Sequence, residues 1–303
     1  MRIVSLLPSA TEIVYALGLG DWLVARSHEC DYPPEAQSKP IITRSLIPPD
    51  LPSDEIDRLV SETLLTHATL YTLDLPLLQS LKPDLILTQA LCTVCAVSHH
   101  AVLEAVESLR PRPQVLNLEP TTLEEVLQTF RQVAEVAGVP QRGEQLIAHC
   151  RERIERVRAR TAERPPVRVS FLEWIDPPFA CGHWTPELVA LSGGIEGHGQ
   201  PGMPSRRLEW REVLDWQPEA IVIACCGFTV ERTLQDMPCL ESKPFWHTLP
   251  ALQAGAVFVA DGNAYFSRPG PRLIDSLEWL AEKLATVRRS EDTSPPELAF
   301  RVP

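Results

Sequence analysis

The sequence predicts an α/β protein with two mainly parallel, helix-covered sheets. Three observations carry this. The chain has 303 residues, about two domains of the usual ~150 residues. Short apolar runs alternate with helical patterns over residues 1–118, and a second series of the same kind starts at Val167. Between the two lies a helical stretch, 119–164, ended by Pro165-Pro166. Strand–helix alternation favours a parallel sheet with helices on its faces.

In the first half, Ile3–Leu7 reads as a strand, followed by a helix over Ala10–Leu17. Ser9 is placed as its N-cap, with Glu12 completing a capping box. Gly18 and Gly20 end it. Leu23–Arg26, Leu85–Thr88 and Val115–Leu118 are expected strands. Asp54–Leu64, Asp74–Leu81 and Ser98–Ser108 are expected helices, the second closed by Pro83. Helices over 121–137 and 140–163 follow, parted by Gly138-Val139-Pro140. In the second half the strands are Val167–Trp174, Ala220–Ala224 and Ala256–Ala260. Pro186–Leu191, Glu209–Leu214 and Pro271–Leu284 read as helices. Residues 287–303 read as a charged, proline-rich tail, after a second α/β lobe over 165–286.

Composition narrows the partners. The chain is 44% hydrophobic and 22% charged, which argues against disorder. With 28 basic against 40 acidic residues the net charge is −12, so nucleic acid is not an expected partner. No run of 18 apolar residues occurs, so no membrane insertion is expected. The eight cysteines are scattered, unlike a small secreted disulfide framework, and no disulfide is expected. A strand opens at the first residues, and a cytoplasmic location is the expectation. The alternative is a periplasmic or lipid-anchored protein whose signal segment lies upstream.

In open α/β sheets, ligands bind beyond the carboxyl ends of the strands. Pro8 and Ser9 follow the first strand, His28 and Glu29 the second, and Gln89 the third of the first half. Tyr71 is a further aromatic candidate. Trp174 ends a strand and precedes Phe179, Cys181 and Trp184, while Phe228 and then Tyr265 and Arg268 follow later strands. Aromatic and polar loop residues of this kind suit a flat organic ligand, although Trp is equally at home in a core. Cys92, Cys95 and His99 fall at i, i+3 and i+7, one face of a helix. With His28, Cys30 or Cys181 they could hold a metal ion such as Zn²⁺; small buried thiols are the alternative. Signatures for phosphate-binding loops, dinucleotide folds, nucleophile elbows and zinc proteases are missing.

Several stretches resemble one family. SLLPSATEIVYALGLGDWLVARSHECDYPPEA (5–36) resembles the opening of class III substrate-binding proteins of ABC importers, and within them the cobalamin-binding branch. LLQSLKPDLILTQ (77–89), WIDPPFACG (174–182), EVLDWQPEAIVI (212–223) and SRPGPRLIDSLEWLAEKL (267–284) resemble later units of that family, in order. The resemblance implies two Rossmann-like α/β lobes joined by one long connecting helix, here 140–163, with a ligand cleft between the lobes. It implies no catalysis. The ligand would be cobalamin or another corrinoid, with siderophores, haem or metal ions as the family's other ligands. A cytosolic metal-binding or redox protein on the same scaffold is the alternative from another class.

Members of that family dock on an ABC transporter permease through one acidic residue per lobe. Here the sequence departs. Arg211 holds the second-lobe position, with Glu209 and Glu212 beside it, and the first-lobe region offers no acid before Glu104. The segment 91–100, LCTVCAVSHH, is also unlike the exported relatives.

Overall fold

A computed structural model describes residues 1–48, 51–66, 69–89, 99–107 and 109–287. The chain divides into two compact units. The first holds residues 1–120 and 124–149, the second 121–123 and everything from Cys150 onward.

The first unit contains β1 (Ile3–Ser5), α1 (Pro8–Ala16), β2 (Leu23–Arg26), β3 (Thr43–Ser45), α2 (Ser53–Thr66) and β4 (Tyr71–Leu73). It continues through α3 (Leu75–Leu81), β5 (Leu85–Thr88), α4 (His99–Glu107), β6 (Gln114–Asn117) and most of α5 (Leu123–Val136). Among the described residues, four strands pair in parallel in the order β2-β1-β5-β6. Every residue of β1 and β5 is buried, the pattern of central parallel strands covered on both faces. On one face Val4, Ala25 and Ile86 pack with Leu78 of α3 and Val102 and Val106 of α4.

Helix α1 starts earlier than expected. Leu7, extended at φ −150°, is the N-cap and makes no side-chain cap bond, while Pro8 opens the helix. Ser9 therefore lies inside the first turn, and the expected capping box with Glu12 does not form. Proline suits the first helical position, because its φ is already helical and its missing N–H has no partner there. The small antiparallel pair β3–β4, which opposes Ser45 to Tyr71, has no counterpart in the sequence reading.

The uninterrupted stretch at 140 is α6 (Pro140–Thr161). Its buried positions Ile147, Cys150, Ile154, Val157 and Thr161 recur every three or four residues, one helical face. Its first part belongs to the first unit and its remainder to the second. Arg142 of α6 donates to the carbonyl of Leu17, the C-cap of α1, at 3.0 Å, and so satisfies an acceptor left over at the helix end.

The second unit holds β7 (Val167–Trp174), β8 (Phe179–Ala180), α7 (Thr185–Leu191), β9 (Gly194–Glu196), β10 (Arg206–Arg207) and α8 (Trp210–Trp216). After them come β11 (Ala220–Ile223), α9 (Val230–Glu241), α10 (Pro250–Gln253), β12 (Val257–Val259) and α11 (Leu273–Ala285). Among the described residues the strand order is β10-β8-β7-β11-β12, with β9 also paired to β7. Strands β9, β7, β11 and β12 run parallel, while β8 is antiparallel to both its neighbours, β7 and β10. Glu209 caps α8 through a reciprocal bond with Glu212. Arg153 of α6 grips α11, with bonds of 3.0 and 2.6 Å to the two carboxylate oxygens of Glu278 and 2.6 Å to Asp275.

Candidate functional site

The carboxyl ends of the strands carry the chemistry in each unit. In the first unit, β1 leads into Pro8 and the buried Ser9. Strand β2 leads into Ser27, His28 and Glu29. His28 is fixed from three sides. Its backbone N–H donates to Thr43 Oγ1 at 3.0 Å, and its Nδ1 lies 2.7 Å from the same oxygen. Its Nε2 lies 3.8 Å from Glu29 Oε1. Its ring sits 5.4 Å from that of Tyr71, whose hydroxyl donates to Glu29 Oε1 at 3.3 Å.

Thr43 comes from β3 and Tyr71 from β4, so the small β3–β4 pair is what delivers Tyr71 to His28. The two contacts with Thr43 Oγ1 fix the orientation of the His28 ring and turn Nε2 towards Glu29. Burial, and then the charge of Arg26, hold the His28 pKa below the usual histidine value, so the ring is neutral at pH 7. Gln89, at the end of β5, is buried.

In the second unit, Trp174 ends β7 and Phe228 follows β11. Their ring centroids are 4.7 Å apart, tilted by 47°, within the range of favourable aromatic pairs. Arg232 covers Phe228, its guanidinium carbon 4.2 Å from the ring centroid. Phe179, on β8, is half-buried. Tyr265 is 37% exposed, with Arg272 5.7 Å from its ring centroid. Arg268 is buried and donates to Asn263 at 2.8 Å.

Trp184 stands apart from this group. Only 6% of it is exposed, and its indole N–H is taken by the carbonyl of Phe266. Trp246 is likewise buried.

The second unit also holds a buried polar cluster around Glu196. Glu196 Oε2 accepts from the backbone N–H of Phe171 at 3.0 Å. Its Oε1 accepts from His198 and Gly199 at 3.0 and 3.3 Å. Burial nonetheless pushes the carboxyl up to about 8, against the lowering effect of those donors. The Ser205 hydroxyl donates to Glu173, and Ser170 Oγ lies 3.0 Å from His198 Nε2.

Among the described residues, no three His, Cys, Asp or Glu side chains converge on a metal-sized site. Cys92 and Cys95 lie outside the described residues. Cys30 is buried, and the hydroxyl of Thr11 donates to its sulfur at 3.1 Å. Burial raises the Cys181 thiol well above the ordinary range, which disfavours the thiolate a metal needs.

Thr43, Arg232, Glu173 and Glu196 were not legible as site residues. Thr43, Glu173 and Glu196 act through pairings 15 to 32 positions apart, whereas Arg232 acts through Phe228, four residues before it. Arg232 alone left a local trace, three residues beyond Thr229, the N-cap of α9 that accepts its N–H.

Parallel strands ending in aromatic and polar loops define a ligand-binding protein of the α/β class. The profile of the periplasmic binding protein family matches residues 3–264, and the chain belongs to that family. Curated relatives include the vitamin B12-binding protein of Vibrio cholerae serotype O1, 26% identical over 292 residues, covering 95% of this chain and 90% of the relative. That of Photorhabdus laumondii is 26% identical over 287 residues, with 94% and 88% coverage. These relatives are binding proteins, not enzymes.

Among solved structures, the periplasmic vitamin B12-binding protein BtuF of V. cholerae superposes with a TM-score of 0.68 at 23% identity, over 94% of this chain and 97% of that one. The periplasmic heme-binding protein RhuT from Roseiflexus sp. RS-1 gives 0.71 at 22%, over 95% and 99%. At these identities the likeness shows the fold, and it agrees with the α/β class and the family expected from the sequence.

Proposed function

We propose that this protein binds cobalamin or a closely related corrinoid through the loops at the carboxyl ends of its strands. One observation carries the reading. The Trp174–Phe228 pair, 4.7 Å between centroids, stands at the ends of β7 and β11 in a chain that vitamin B12-binding proteins match over 95% of its length. A corrin is broad, flat and rimmed with amides. Rigid aromatic surface binds its faces at low entropic cost.

The periplasmic names of the family and of the solved structures favour the periplasmic alternative over the cytoplasmic expectation. The same kinship supports an ABC importer as partner. Glu209 and Glu212 are the acids nearest the expected docking position, but they are engaged with each other at the α8 cap, and Glu212 also takes Arg206 at 2.7 Å. Fractionation of the native host, with immunodetection, tests the location; recovery in the cytosol alone contradicts it.

A haem is the second reading. RhuT supports it, as do the residue types of His28 and Tyr71, both able to ligate iron. Calorimetric titration with hydroxocobalamin, cobinamide and haemin separates the two. The corrinoid reading expects saturable binding of the first two. No corrinoid binding at ligand concentrations of about 100 μM, with haemin bound, contradicts it.

A further inference from the structure

Strands β5 and β6 end on a polar pair that closes an apolar row. In register, Ile86 pairs with Val115 and, two residues on, Thr88 pairs with Asn117. Side chains two apart on a strand share a face, and Ile86 and Val115 pack on this face with Val102 and Val106 of α4. Thr88 is fully buried, and its Oγ1 has no hydrogen-bond partner. The Oδ1 of Asn117 is likewise buried and without one, although Asn117 as a whole is half-buried. Buried polar atoms are rarely left unpaired, because each loses its water without a replacement bond. The position of the pair also matters. From β1 the chain passes to β2 on one side and returns to β5 on the other, so the strand order reverses between β1 and β5. Open α/β sheets take their ligands outside the carboxyl ends of the strands at such a reversal. Thr88 is the last residue of β5, and the buried Gln89 follows it. The Thr88 hydroxyl offers a donor and Asn117 Oδ1 an acceptor, on strands about 4.8 Å apart. A primary carboxamide carries the complementary acceptor and donor side by side. A carboxylate has no N–H for the Asn117 oxygen.

We propose that Thr88 and Asn117 together hold one carboxamide of the ligand's rim. The Thr88 hydroxyl donates to its carbonyl oxygen, and its N–H donates to Asn117 Oδ1. The inference rests on the corrinoid reading above and gives that ligand a contact on the first unit.

The test titrates cobinamide calorimetrically into wild type, Thr88→Val, Thr88→Ser, Asn117→Leu and the double variant Thr88→Val/Asn117→Leu, and follows the urea denaturation of each without ligand. Valine keeps the shape of threonine and removes the hydroxyl. Thr88→Val is therefore expected to raise the urea midpoint and yet to weaken cobinamide binding about tenfold, the worth of one neutral hydrogen bond. Thr88→Ser keeps the hydroxyl and is expected to bind as wild type does. Asn117→Leu weakens binding by a similar factor. The double variant loses less than the product of the two single losses, because one carboxamide spans both residues. A structural role for the hydroxyl predicts a lower midpoint in Thr88→Val, and that result overturns the inference alone, as does a raised midpoint with unchanged affinity. Thr88→Val decides the matter by itself if Asn117→Leu does not fold. If wild type binds no cobinamide, the corrinoid reading falls and the inference falls with it.

Discussion

The indole N–H of Trp184 donates to the carbonyl oxygen of Phe266 at 2.7 Å, across 82 positions of the chain. Phe266 has a positive φ of 65°, a conformation that non-glycine residues seldom adopt. Its ring is 1% exposed, 4.9 Å from that of Phe171 and 6.0 Å from that of Trp279. Trp184 therefore ties down a strained turn at the centre of the second unit.

Replacing Trp184 by Phe is expected to keep the packing and remove this bond. The buried carbonyl of Phe266 is then unpaired, at a cost of about 1–3 kcal/mol. Urea denaturation reads it as a lower midpoint with an unchanged slope. An unchanged midpoint contradicts the role.

Arg153 is expected to act as a fork rather than a point charge. Its carboxylate partners hold the guanidinium pKa above the usual arginine value, and Glu278 is held below the usual carboxylate range, chiefly by its hydrogen bond to Arg153. Lysine cannot make the two parallel bonds. Arg153→Lys should lower stability by about 1–2 kcal/mol after allowance for the exposure of the acids. The loss should vanish in acid, because a depressed carboxylate stabilises above its unfolded pKa and loses that contribution as pH falls through its folded value. Chemical denaturation of both proteins at neutral pH and in acid measures it.

Glu196 gives the opposite pH dependence. Burial holds its folded pKa at about 8, above the ordinary carboxylate value of 4.5. Between those values the folded state keeps a proton that the unfolded state has released. Stability from this group therefore falls as pH rises from about 4.5 to about 8, by a few kcal/mol. Glu196→Gln should lose about 1–3 kcal/mol at low pH, because one oxygen that accepts backbone N–H becomes a donor. The gap between the two proteins should then narrow as pH rises. A pH-independent gap contradicts the assignment.

The described cysteines should differ sharply in reactivity. Cys226 is exposed, whereas Cys150, Cys181 and Cys225 are buried, and burial pushes Cys150 up to about 11 and Cys225 up to about 12. Brief alkylation of the native protein near neutral pH, mapped by peptide mass spectrometry, should modify Cys226 and spare these three. Early modification of Cys225 would show that the turn after β11 opens.

What the sequence revealed follows the range of the interactions involved. Leu85–Thr88 and Val167–Trp174 form strands at the expected residues, because a buried apolar run between turn residues is a local signal. The long α6 was readable from its own periodicity. Helix α9 was not, since Pro238 lies within it and a proline normally argues against a helix interior. Strands β3 and β4 were missed because Thr43-Arg44-Ser45 and Tyr71-Thr72-Leu73 are three residues each, too short for a period. Tyr71 is legible as an aromatic candidate, but its placement against His28 rests on that pairing. The two tryptophans read alike in sequence. Only long-range packing separates Trp174, half-buried at a strand end, from Trp184, bonded into the interior.

The central claim is that the Trp174–Phe228 face receives a corrin, and tryptophan fluorescence during titration with cobinamide tests it most directly. An absorbing corrin close to an indole should quench it by energy transfer, so the account predicts a saturable fall in emission after correction for inner-filter loss with free tryptophan. Trp174→Ala should weaken the affinity by about 1–3 kcal/mol, the scale of a buried aromatic contact, while its melting profile stays cooperative. Saturable quenching with the same affinity in wild type and Trp174→Ala, or no quenching beyond the inner-filter control, would contradict it.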